Sequence, residues 1–117
     1  MRIGVFTVLY QNLPFEQMLD KVAGMGVTAV EIGTGGYPNN HHCPVDELLT
    51  SESKRKAYLA EVEKRGLVIS ALSCHNNPIS PDAAYAKESD AILRKTGRLA
   101  ALLGGKVVNG FSGVPAV

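Results

Sequence analysis

Four short apolar runs punctuate the chain, at residues 3–10, 29–34, 67–73 and 106–111. Each is rich in Val and Ile and is bounded by Gly, Pro or Asn, the β-branched content and flanking breakers expected of strands. Helical patterns lie between them. Pro14 suits the first position of a helix, and Phe15, Met18, Leu19, Val22 and Ala23 then fall on one stripe, closed by Gly24 and Gly26. A second helix is predicted over 51–65, with Tyr58, Leu59 and Val62 inward and Gly66 as its stop. Asp46 could cap an extra turn through Leu49. A third begins at Asp82, a good N-cap after Pro81. It carries Ala84, Ala91, Ile92, Leu99, Leu102 and Leu103 and ends at Gly104-Gly105, with Gly97 inside it.

The order is therefore β-α-β-α-β-α-β. Strict alternation implies parallel strands, because a parallel neighbour needs a long return path. Two architectures share this rhythm, the open doubly wound sheet and the closed eight-stranded barrel. A complete barrel takes about 250 residues, whereas 117 residues hold about four units in one domain and stop after the fourth run without a covering helix. Either the sheet is open and complete or the chain is the first half of a barrel.

Charge narrows the partners. Twelve Lys and Arg against eleven Asp and Glu give a net charge of +1, which argues against a nucleic-acid partner gripped through phosphates. The apolar run nearest the N-terminus is too short to span a bilayer, which needs about 20 apolar residues. No cleavage site follows it, so the expected location is cytoplasmic and no membrane partner is expected. Cys43 and Cys74 make no disulfide framework and read as free thiols in a reducing compartment.

In such folds ligands bind at the carboxyl ends of the strands, which directs attention to segments 11–13, 33–44, 74–81 and 112–117. In the second run Val30 and Ile32 share the face that packs under helices, so Glu31 points the other way. A carboxylate there is either ion-paired structure or a holder of a substrate hydroxyl or metal-bound water. In the third run, alternation from Ala71 and Ser73 places His75 at the tip, on the side of the sheet that carries Glu31. A histidine so placed can shuttle protons, bind a metal or donate to a sugar oxygen. Asn76-Asn77-Pro78 reads first as turn chemistry. Segment 33–44 is long for a strand-to-helix link and has the character of a lid or binding loop. Its His41-His42-Cys43 invites a metal reading, weakened because adjacent side chains rarely converge on one ion. Cys43 as a nucleophile is weaker still. Asn109, polar in an apolar strand, is a structural or a ligand-binding residue.

Four segments together are similar to sugar phosphate isomerase/epimerase proteins of the xylose isomerase-like TIM-barrel superfamily. They are Ile3-Gly4-Val5-Phe6-Thr7, the stretch from Ala29-Val30-Glu31-Ile32-Gly33 to Tyr37-Pro38, Ile69-Ser70-Ala71-Leu72-Ser73-Cys74-His75-Asn76-Asn77-Pro78, and Val107-Val108-Asn109-Gly110-Phe111-Ser112-Gly113. The resemblance implies an α/β chain of parallel (βα) units forming about half of a TIM (β/α)8 barrel, its first four strands and three helices. It implies an enzyme moving a proton or hydride between adjacent carbons of a sugar or sugar phosphate. A divalent metal (Mn, Mg, Co or Zn) is expected in the full-length protein, on two Glu, an Asp and a His from later strands. On this chain the resemblance falls on Glu31 and His75 as catalytic candidates and on Asn109 and His42 as substrate-binding ones. The pattern departs at Asn76, where Gly is expected, at Gly97 inside the third helix, and at Gly110 and Val114, where Thr and Cys are usual. A half barrel leaves two open sheet edges, so self-association is expected and turnover by the chain alone is not. The same superfamily includes endonucleases acting at abasic sites, a reading the net charge disfavours. A small, complete, non-catalytic ligand-binding domain is the third possibility.

Overall fold

Strand-forming and helix-forming segments alternate along the chain, and the computed structural model describes residues 1–115 of them. The elements run β1 (Gly4–Phe6), α1 (Phe15–Gly24), β2 (Ala29–Gly33), α2 (Val45–Thr50), α3 (Glu52–Glu63), β3 (Val68–Cys74), α4 (Ala83–Leu102) and β4 (Val108–Gly110). The sheet order is β1-β2-β3-β4 and every pair is parallel. Residues 116 and 117, the end of the strand-end segment 112–117, lie outside the described residues.

The helices cover one face of this sheet. Met18, Leu19 and Val22 of α1, Val30 and Ile32 of β2, Leu72 of β3 and Leu99 of α4 pack there with little or no exposure. Burial of each large aliphatic side chain contributes about 1.5–3 kcal/mol, so this layer holds the sheet. The other face carries Phe6, Glu31, Ala71, Ser73 and Asn109, through the pairings Phe6 with Glu31, Glu31 with Ala71 and Ser73 with Asn109. The β2–β3 register slips between Val30 and Glu31, and Ser70 bonds across the slip to the Val30 carbonyl at 3.1 Å.

Several boundaries differ from the sequence reading. The first apolar run is a strand only over Gly4–Phe6, and Thr7–Tyr10 is one turn of 3-10 helix. The chain leaves the sheet there: Thr7 is buried, Leu9 points to solvent and Tyr10 packs on the core. The apolar run therefore contains a strand and the turn that leaves it. Asp46 does not cap α2, whose N-cap is Pro44; it stands in the first turn and pairs with Lys95 of α4 at 2.7 Å. Ser51 caps α3 by accepting from the Lys54 N–H, and Asp82 caps α4 by accepting from Ala84 and Tyr85.

The inward stripe of α4 also differs. Ala84, Ala91 and Leu102 are exposed, whereas Ser89 and Thr96 are buried with Leu99 and Ala100. Thr96 fits because its hydroxyl bonds the Ile92 carbonyl at 2.8 Å and the Thr34 hydroxyl at 2.7 Å. A hydropathy stripe misses a polar residue whose bonds are made inside the packing.

Candidate functional site

The carboxyl ends of the four parallel strands meet at one rim. Each side chain there is delivered by the two-residue alternation of its strand. Glu31 projects from the middle of β2, away from the helices. His75 follows the last residue of β3, and its Nε2 lies 3.9 Å from Glu31 Oε1, with the two side chains 17% and 23% exposed. The pair expected on one side of the sheet is thus brought together, open enough to be reached.

Two aromatic rings flank the imidazole. Phe6 of β1 presents an edge at 5.9 Å between centroids, and Phe111, just beyond β4, lies at 4.8 Å. Nδ1 of His75 is buried and has no hydrogen-bond partner. The ring is therefore held by packing and its glutamate neighbour, without the second hydrogen bond that commonly fixes a histidine's orientation.

The loops around this pair are fastened to the end of β3. The His75 N–H donates to the Tyr37 carbonyl at 2.8 Å, and the Tyr37 N–H donates to Asn76 Oδ1 at 2.8 Å. Gly36, at φ +61°, passes so close to the Asn76 carboxamide that a methyl group there would collide with it. This explains how the chain accommodates Asn at a position where the resemblance has Gly. On the other side, Asn77 Oδ1 accepts from the Val114 N–H at 3.0 Å while its Nδ2 donates to the Val114 carbonyl at 2.8 Å. Asn77 makes the turn that its sequence predicts, its Oδ1 accepting from the Ile79 N–H at 3.3 Å and its carbonyl from the Ser80 N–H at 3.3 Å. Asn76 and Asn77 in addition join neighbouring loops to β3, through partners distant in sequence.

The remaining candidates separate. Asn109 lies on the Glu31 side of the sheet, in register with Ser73, and among the described residues its carboxamide makes no hydrogen bond. His42 is not at the rim pair. It is 4% exposed, and its Nε2 is bonded to the Leu13 carbonyl at 2.9 Å. Burial lowers its pKa, and the bond to Leu13 opposes the shift only in part. Its backbone carbonyl accepts from the Tyr58 hydroxyl at 2.8 Å. His42 thus anchors the long loop to the helical layer. A substrate-binding role must contend with a ring already packed and bonded.

Cys43 is fully buried, and burial pushes its thiol up to about 12. A thiol so protonated is no nucleophile at neutral pH. Burial also raises Cys74. Among the described residues no group of three or more His, Cys, Asp or Glu side chains could hold a metal. A cavity of about 400 Å³ opens beside His75, lined also by Asn76, Asn77, Tyr85, Phe111 and Val114.

No protein-family model matches the chain. It is 40% identical over 116 residues to the uncharacterized protein YfiH of Bacillus subtilis (strain 168), an alignment covering 99% of this chain and 37% of that protein. Two solved structures share its fold. One is D-psicose 3-epimerase in the presence of D-fructose, with TM-score 0.63, 17% identity, and coverage of 94% of this chain and 37% of that one. The other is a D-tagatose 3-epimerase-like protein, with TM-score 0.64, 21% identity, and coverage of 92% and 36%. The chain thus spans little more than a third of the length of each. Its four strands correspond to about half of a TIM barrel.

Proposed function

We propose that this chain is the N-terminal portion of a sugar isomerase or epimerase and supplies one wall of its sugar site. The observation that carries this reading is the Glu31–His75 pair, 3.9 Å apart at the carboxyl rim of a parallel sheet, where barrel enzymes place their chemistry. Glu31 accepts from sugar hydroxyls. His75 Nε2 donates to a sugar oxygen and can pass a proton to or from it as the hydrogen on the neighbouring carbon moves. Phe6 and Phe111 offer apolar surface to the carbon-bound hydrogens of the sugar, and Asn109 offers a carboxamide to its hydroxyls.

A free sugar fits this wall better than a phosphorylated one. Segments 11–13, 33–44, 74–82 and 111–115 contain no Lys or Arg. Lys95, which flanks the turn at Thr34, is paired with Asp46. The same lack of cations disfavours a nuclease. For the divalent metal implied by the resemblance, Glu31 and His75 are only two donors. They do not make such a site by themselves.

The test joins this chain to the remaining portion of the Bacillus subtilis relative, and solvent deuterium exchange into D-fructose is followed with added Mn²⁺. Exchange that His75→Ala and Glu31→Gln each reduce by about 10²-fold or more, the usual contribution of a positioned acid–base group, supports the reading. Exchange indifferent to both substitutions overturns it. An NMR titration comparing D-fructose with D-fructose 6-phosphate tests the preference for a free sugar.

A further inference from the structure

His75 sits on the rim without a hydrogen bond to Nδ1. What orients an imidazole in that case is contact, and the nearest flat contact is the Phe111 ring at 4.8 Å. Phe111 lies beyond the last paired residue of β4 and is itself 61% exposed. The sheet therefore does not hold it. Its place depends on the segment that follows, and that segment is fixed by Asn77.

The Asn77 carboxamide acts as a two-sided clamp. Oδ1 takes the Val114 and Ile79 N–H groups at 3.0 and 3.3 Å, and Nδ2 gives to the Val114 carbonyl at 2.8 Å. Gly113, at φ +94°, lets the backbone come close enough, since a side chain there would strike Asn77 and Ile79. Asn77 and Val114 line the cavity of about 400 Å³ that His75 and Phe111 share.

We infer, on the reading of this rim as a sugar site, that Asn77 is a positioning residue: by clamping Val114 it holds Phe111 against His75 and so fixes the imidazole toward Glu31. Its side chain bonds only to backbone groups of the two segments it joins, so its influence passes through Phe111.

The chain has only three histidines, His41, His42 and His75, so side-chain NMR of histidine-labelled protein resolves the ring directly. In the wild type, His75 shows cross-relaxation with Phe111 and a ring-current displacement of its carbon-bound protons. Asn77→Ala abolishes both, as does Phe111→Ala, and the double variant adds nothing further. Asn77→Asp keeps the acceptor for Val114 and Ile79 but sets a carboxylate oxygen against the Val114 carbonyl, so it weakens the contact to a level between wild type and Asn77→Ala. Arg65→Ala breaks ion pairs to Asp20 and Glu61 where α3 leads into β3, at the other end of the sheet. It lowers stability without moving the His75 signals. Persistence of the His75–Phe111 contact in Asn77→Ala, or its equal loss in Arg65→Ala, overturns the inference. D-fructose is added last. A wild type whose His75 signals ignore the sugar counts against the sugar-site reading, while the contact measurement judges Asn77 separately.

Discussion

Replacing Gly36 by alanine tests whether the long loop is locked to the end of β3. At φ +61° an L side chain is in the left-handed region, at a cost of roughly 1–2 kcal/mol. The added methyl also collides with the Asn76 carboxamide, which must swing away and release the Tyr37 N–H it accepts from at 2.8 Å. Leaving that bond unmade costs about 1–3 kcal/mol. Together these predict a loss of about 2–5 kcal/mol, a large share of the 5–15 kcal/mol typical of a domain. Asn76→Gly alone loses the bond and gains unfolded-state freedom, about 1.5–4 kcal/mol in all. The Gly36→Ala/Asn76→Gly double variant removes the collision but keeps the backbone strain and the loss of the bond to Tyr37, now counted once. Its loss should fall short of the sum of the single losses by that one bond, about 1–3 kcal/mol, since residues in contact couple. Urea unfolding followed by circular dichroism measures all three. Additivity within about 0.5 kcal/mol, the behaviour of independent sites, would refute a direct contact between Gly36 and Asn76.

Other perturbations separate the layers of the structure. Gly97 is a solvent-exposed interior position of α4 where a methyl group meets nothing, so Gly97→Ala should add about 0.5–1 kcal/mol, read as a higher urea midpoint. Burial holds the folded pKa of His42 below its ordinary value, so in the window between the two the unfolded chain binds more protons. Stability must fall as pH drops through about 6.5 and level off below the folded value, and His42→Gln should flatten that slope. Cys43, with its thiol pushed up to about 12, should react with a thiol reagent at neutral pH only at the rate of unfolding, and prompt native-state labelling would contradict its burial. Finally β1 and β4 end the sheet, and Ile3 and Val107 beside them are exposed. Analytical ultracentrifugation should show concentration-dependent association that Val107→Lys weakens, and a strict monomer at all concentrations would contradict this expectation.

The fold was legible because its signals are local and repetitive. Val30 and Ile32 facing the helices, Asp82 as the cap of α4, and glycine at the ends of α1, α3 and α4 all follow from short-range rules. The common side of Glu31 and His75 follows from alternation alone, because Ala71 resumes the pleat after the slip at Ser70. What escaped is what depends on distant partners. Thr7–Tyr10 has strand-like residues but turns off the sheet because β1 pairs with β2 only as far as Phe6. Thr96 faces inward because the Thr34 hydroxyl, distant in sequence, meets its own at 2.7 Å. His42 looked like a ligand at a mouth and became an anchor because Leu13 and Tyr58, far away in sequence, reach it first.

That contrast bears on how the rim acquires chemistry. An imidazole near a carboxylate becomes useful only if its surroundings leave it reachable and hold it still. Here the two requirements draw on different residues. Reach comes from the open face of the sheet, which leaves His75 and Glu31 partly exposed. Steadiness comes from Asn76 and Asn77, which tie the loops after β2 and β4 to the residues that immediately follow the histidine. Moving either asparagine by one residue would reverse its side of the chain and break the tie to its loop. In the sequence His75-Asn76-Asn77 the candidate ring is thus followed directly by the two side chains that tie its neighbouring loops to β3.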